Sequence, residues 1–340
     1  MQTKNYNKIQ SLIEKEFPKF RKTVRKNFSL ITLALLQSKS CLTPEIALNM
    51  SKINGASHKT NITRLYRFLK TKTFKTEDKE WRMFVTFILN ILKKDNNLLK
   101  KDCNIPINVD YTTKEDNFLI LSASIPFYNR GIPLYFSIRK YPEKKGQLDL
   151  VKMEQAFIKE LRHLLPIAYK YTIVADRGFG NKRFADLCIK NNFDYILRIR
   201  TNLTVLKDVS KQQVKDLEIN QDFNNVLLTG EKWETRLVSK ELDGNKWYIA
   251  TSLRKAEHKQ IINWYEKRFN IEKMFQDEKS SGFNFENLKI TSYSRFKRLF
   301  FCLSLAQAIL MFVGNSIEKN NDRVKKKYPI CTNVVSAFSN

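Results

Sequence analysis

Cysteine, histidine, glycine, proline and acidic residues are all scarce in this 340-residue chain, and each shortage closes off a class of protein. The five cysteines, Cys41, Cys103, Cys188, Cys302 and Cys331, lie at long intervals with no Cys-x-x-Cys pair, and the three histidines stand far apart. Neither a zinc site nor a disulfide framework is expected, and a dispersed, odd set of thiols suits a reducing cytoplasm. Nine glycines and eight prolines are too few for a collagen-like, elastic or low-complexity chain. The longest apolar run, 299–314, is shorter than the ~20 residues of a bilayer span and carries Ser304 and Gln307, so it reads as a core helix and no membrane is expected. The opening MQTKNYNKIQ leads into no apolar stretch, so no secretory signal is expected. No Gly-x4-Gly-Lys-Ser/Thr occurs, which excludes a P-loop ATP site.

What is abundant is apolar and basic. Apolar residues at 42% and aromatics at 12% exclude disorder, and the length suggests about two domains. Against 34 acidic residues stand 61 basic ones, a net charge of +27. A surplus of that size points to a polyanionic partner, nucleic acid first and an anionic membrane surface second. The first 104 residues are the most basic, with 22 basic against 8 acidic side chains, and are helically patterned throughout. Thr43-Pro44 marks a helix start. A helix over about 59–70 spaces Arg64, Arg67 and Lys70 three apart while Leu65, Phe68 and Leu69 face a core. Such a stripe can be a plain solvated face, but within so basic a segment DNA contact is the better reading.

From about residue 105 the pattern turns to strands. PINVDYTT, NFLILSASIPFYN and GIPLYFSIRKY suggest an antiparallel meander with a turn at Asn129-Arg130-Gly131. An amphipathic helix over 149–165, an apolar strand YTIVAD, a helix NKRFADLCIKN and a strand FDYILRIR follow. The expected class is therefore α/β, a mixed sheet covered by helices. Short strands with polar turns occupy about 203–252, then a long helix over 255–280 and a last helix over 295–317. No internal repeat is present.

Asp110 and Asp176 each end a strand, where open α/β sheets bind ligands, although an aspartate there is also an ordinary turn former. Asp176 is followed by Arg177-Gly178-Phe179-Gly180, a cation and small residues beside the carboxylate. On a continuous helix over 255–280, Tyr265, Arg268, Glu272 and Lys279 fall within a ~60° stripe. That stripe lies on the apolar half, opposite Glu266, Lys267, Lys273, Asp277 and Glu278. Charges there are costly unless they bind something or pair, as Arg268 and Glu272 could at i, i+4. Three carboxylates from separate segments, without histidine or thiolate, suit Mg²⁺ or Mn²⁺. Two such ions clamp the oxygens of an in-line phosphodiester displacement. With the basic front segment, this indicates a DNA-directed phosphoryl transferase.

The spacing Tyr265-x2-Arg268-x3-Glu272-x6-Lys279 resembles the Tyr-Arg-Glu-Lys signature of the IS-four family of bacterial insertion-sequence transposases. VDYTT and ADRGFG resemble that family's two aspartate motifs, and the likeness runs from about residue 27 to 314. It implies an RNase H-like core in which Asp110, Asp176 and Glu272 form a DDE triad, with a β-strand insertion between the second and third. It implies that Tyr265, Arg268 and Lys279 hold phosphates at the element's ends, and that a homodimer joins two ends. Trp247 resembles a tryptophan that stacks on a flipped base in hairpin-forming members; a place in the core fits it equally, and Trp233 is the second candidate. Thr113 departs from the family, which often has an acidic residue there. The expected organisation is a helical DNA-end-binding domain (1–104), a catalytic domain (105–320, insertion about 203–252) and a basic tail (321–340). A repurposed, catalytically silent DNA-binding protein and a stand-alone RNase H-fold nuclease remain alternatives. The complete set of carboxylates counts against the first, and the likeness of both terminal stretches against the second.

Overall fold

Local signals start several of the helices in the computed structural model, which describes residues 2–94, 103–114, 117–141, 149–207, 210–279 and 282–327. Five helices come first: α1 (Gln2–Glu16), α2 (Lys22–Ser38), α3 (Thr43–Asn54), α4 (His58–Lys70) and α5 (Asp78–Lys94). Pro44 sits in the first turn of α3, which ends at Gly55 in the left-handed region, φ +71. Ser57 caps α4 by accepting the Thr60 N–H at 3.2 Å.

The strands β1 (Asn104–Lys114), β2 (Phe118–Phe127) and β3 (Arg130–Lys140) form the expected antiparallel meander. Helix α6 (Leu150–Leu164) then crosses to β4 (Lys170–Ala175), parallel to β1, and α7 (Lys182–Lys190) crosses to β5 (Asp194–Arg198), parallel to β4. Asp149 caps α6 and Asn181 caps α7. The segment that follows supplies β6 (Thr204–Lys207), β7 (Ser210–Gln213), β8 (Asp222–Leu228), β9 (Trp233–Leu242) and β10 (Asn245–Thr251). It is continuous with the rest, because β10 pairs antiparallel with β5. The result is one mixed sheet in the order β3-β2-β1-β4-β5-β10-β9-β8-β6-β7.

Helices cover the sheet and account for the fully buried β2. Trp81 of α5 meets Phe136 of β3 at 4.6 Å and Phe301 at 4.7 Å. Phe301 belongs to α10 (Tyr293–Lys327), so the first helices, the sheet and the last helix share one apolar core. Arg298, also on α10, donates to Phe74 O at 2.5 Å and Leu69 O at 2.6 Å, closing the C-terminal end of α4. Over Tyr293–Gly314, α10 is long and apolar enough to cross a bilayer, yet most of that stretch is buried inside the protein. The helix starts and ends beyond the 295–317 expected; of the expected basic tail, 328–340 lie outside the described residues.

The single helix expected over 255–280 is two helices, α8 (His258–Glu266) and α9 (Phe269–Glu278). At the junction the bonding tightens to i→i−3: Arg268 N donates to Tyr265 O at 2.9 Å and Asn270 N to Lys267 O at 3.1 Å. The break is stabilised from outside, since Asn108 of β1 donates its amide to Lys267 O at 2.8 Å.

Candidate active site

Parallel pairing of β1 with β4, strands about 4.8 Å apart, puts Val109 opposite Ala175, so Asp110 comes beside Asp176. Asp176 directly follows β4 as expected, but Asp110 lies within β1 rather than ending it, because the pairing with β2 continues to Lys114. Helix α9 packs across β1, β2 and β3 and brings Glu272 to the same place. Arg268 joins them: its guanidinium donates to Glu272 Oε1 at 2.7 Å and to Asp110 Oδ2 at 3.4 Å. Arg268 is buried, Asp110 is 18% exposed in its side chain and Glu272 51%. Burial and then the charge of Asp176 push the Asp110 carboxyl up to about 6; Arg268 opposes them and Glu272 adds to them. Burial works against the Arg268 charge, but Tyr265, Glu272 and Asp110 outweigh it and raise its pKa. Asp110 thus senses both other carboxylates.

The i, i+4 pair between Arg268 and Glu272 exists, but it also reaches a strand carboxylate. Among the described residues no three His, Cys, Asp or Glu side chains converge closely enough to hold an ion as they stand. Arg268 occupies the space between Asp110 and Glu272 instead. The donor set nevertheless fits a hard divalent cation, being all carboxylate oxygen with no nitrogen or sulfur ligand among the three.

Asp176 builds its own turn. Its Oδ1 accepts the Gly178 N–H at 2.9 Å and its carbonyl the Phe179 N–H at 3.1 Å. Gly180 is required, since a Cβ there would lie 2.0 Å from Arg198 O. Beside the turn is a cleft of about 420 Å³ lined by Asp176, exposed Arg177, Gly178, Arg200, Thr201 and Asn202. Arg200 was missed from sequence; the signal was available in FDYILRIR, where alternation puts Arg198 and Arg200 on one face.

The break in the long helix falls within the expected stripe, yet Tyr265 and Arg268 remain neighbours, the guanidinium 5.8 Å over the phenol ring. Tyr265 lies on α8, fully buried, with its hydroxyl lacking a hydrogen bond of good geometry although the Arg198 guanidinium faces it. Burial raises its pKa, against Arg268 and Arg198. Lys279 ends α9 with φ −79 and ψ −97 and reaches Glu286 at 3.7 Å.

Of the two readings of Trp247, the structure fits the core. It is 5% exposed, edge-on to Tyr265 at 5.1 Å, with Arg198 6.0 Å over its ring. In this arrangement the indole is packed among Tyr265, Phe269 and Arg198 rather than presented to solvent. Trp233 is also buried, and donates its indole N–H to Tyr195 Oη at 3.2 Å.

Far from the carboxylates, Arg64 and Arg67 of α4 line a groove of about 830 Å³ together with Lys26 of α2 and Lys59, while no carboxylate lines it. Lys70 is exposed but outside the groove. Lys26 was missed because only packing brings α2 beside α4.

The family described as transposase DDE domain matches residues 131–309, more than half of the chain; Asp176 and Glu272 fall inside the match and Asp110 before it. No curated protein matches the chain. Among solved structures, a cryo-EM piggyBac transposase synaptic complex with hairpin DNA aligns over 94% of this chain and 72% of its own, at 11% identity and TM-score 0.45. The endonuclease V of Bacillus subtilis aligns over 50% and 75%, at 12% identity and TM-score 0.27.

Proposed function

The chain belongs to the transposase DDE family, and from that premise we propose that it is an IS-four type enzyme that cuts an insertion sequence from flanking DNA and joins it to a target. The observation that supports this most is the β1–β4 register, which sets Asp110 beside Asp176 and within reach of the Arg268–Glu272 pair. In this reading β1–β5 with α6, α7 and α9 are an RNase H-like core, β6–β10 its insertion, and Asp110, Asp176 and Glu272 the holders of Mg²⁺ or Mn²⁺. When bound, such ions polarise the phosphodiester and make water nucleophilic at neutral pH.

The protein's own groups position the strand. Arg268, whose acceptors in the structure are Asp110 and Glu272, turns part of its fork to the phosphate and neutralises charge developing there. Arg177 and Arg200 hold neighbouring phosphates across the cleft beside Asp176. Residues 1–104 bind the element's ends through the groove carrying Lys26, Lys59, Arg64 and Arg67, with Lys70 at its margin. Water opens a phosphodiester at the element's end, and the freed 3′-hydroxyl attacks a target phosphodiester. One such bond replaces another, so no ATP is needed. A homodimer holds two ends together on the nucleoid.

The test is purified protein on DNA carrying its native flanking ends, with and without Mg²⁺. Cleavage at the ends followed by joining, only with the ion, is expected. Binding without cleavage would identify a silent DNA-binding protein, and cleavage without regard to ends a nuclease.

A further inference from the structure

Glu154 on α6 is a buried carboxylate, 5% exposed, with no place in the chemistry described so far. Both of its oxygens are used. Oε2 accepts from Arg183 Nη2 of α7 at 2.6 Å, and Oε1 accepts from the Tyr111 hydroxyl at 3.2 Å. The arginine bond alone would tie α6 to α7. The tyrosine bond does something else, because Tyr111 follows Asp110, and its backbone N–H donates to Asp110 Oδ1 at 2.8 Å. The Tyr111 ring also lies flat on Phe179, with centroids 5.3 Å apart and planes 7° from parallel. Phe179 in turn donates its N–H to Asp176 O, within the turn that Asp176 closes.

Tyr111 is therefore linked to Asp110 through its backbone N–H and, through its ring on Phe179, to the turn of Asp176, and Glu154 holds that ring by its far end. We propose that Glu154 is a positioning residue that fixes the Tyr111–Phe179 stack and, through it, the spacing of Asp110 and Asp176. The role rests on the reading of those two aspartates as joint holders of a divalent ion. Groups that orient metal ligands from behind change affinity by about 10- to 100-fold when removed.

The experiment is titration of the full chain with Mn²⁺ alone, read by the electron paramagnetic resonance signal of free Mn²⁺, beside melting curves without metal. Tyr111→Phe keeps the stack and removes one oxygen; Glu154→Leu fills the space and removes both acceptors; Glu154→Gln returns an acceptor for the phenol. Tyr111→Phe and Glu154→Leu are expected to weaken Mn²⁺ binding about 10-fold or more, with Glu154→Gln close to wild type and the Tyr111→Phe melting temperature unchanged. If Glu154→Leu does not fold, Tyr111→Phe decides alone. Wild-type Mn²⁺ affinity in Tyr111→Phe would overturn the role. Unchanged Mn²⁺ uptake in Asp110→Asn and Asp176→Asn would overturn the aspartate pair itself, a distinct failure.

Discussion

Asp110, Arg268 and Glu272 meet in a partly buried knot where each charge touches one of opposite sign, whereas Lys26, Lys59, Arg64 and Arg67 line an open groove with no carboxylate on its walls. The knot keeps its geometry without a ligand because its partners are internal and poorly screened. The groove's cations look outward, so their anion must come from elsewhere and competes with salt. Position governs the first region and charge the second, and substitutions in the two should fail differently.

The largest effects belong to the carboxylates. Asp110→Ala or Glu272→Ala should bring cleavage of end DNA below detection while affinity for the same DNA, measured by gel shift, stays near wild type. A variant that loses both together would merge the two regions that the comparison separates.

Next come groups buried around the knot. Trp247→Ala should cost ~3–5 kcal/mol of stability, read as a lower denaturant midpoint, because the indole packs on Tyr265 and Phe269. A fold as stable as wild type would return the indole to the solvent side.

Glu278 gives a smaller, pH-dependent effect. Burial, and then the charge of Asp277, push this carboxyl on α9 up to about 8, with Lys279 opposing. The unfolded chain releases that proton near 4.5, so the folded state binds more protons between those values and stability falls as pH rises through the window. The loss is complete above about pH 8. Glu278→Gln should flatten this profile and stabilise the protein at pH 8 by on the order of 1 kcal/mol or more. A wild-type curve that is flat from pH 5 to 8 would contradict it.

The mildest change is in the groove. Neutralising Lys26, Lys59, Arg64 and Arg67 together should reduce the slope of log affinity against log salt by about 3–4, measured by fluorescence anisotropy, with no change in melting temperature.

Much of this was legible in the sequence where local patterning decides structure. The meander, the two crossovers and the place of Asp176 directly after β4 follow from apolar alternation and turn residues, whereas Asp110 lies within β1 rather than at its end and Glu272 is half exposed rather than sunk in an apolar face. What depends on distant partners was not legible. At the α8–α9 break the Lys267 carbonyl takes a second donor, the amide of Asn108, from 159 positions earlier in the chain. The groove requires α2 beside α4, the merged sheet requires β10 to find β5, and the burial of Trp247 requires Tyr265 to sit against it.

The division between position and charge is tested most directly by one time course of end-DNA cleavage in Mg²⁺ at saturating protein, comparing wild type, Asp176→Ala and the four-fold groove variant. The account predicts wild-type rates for the groove variant once it is saturating, and fully bound but uncut DNA for Asp176→Ala. Product from Asp176→Ala at the wild-type rate would contradict it.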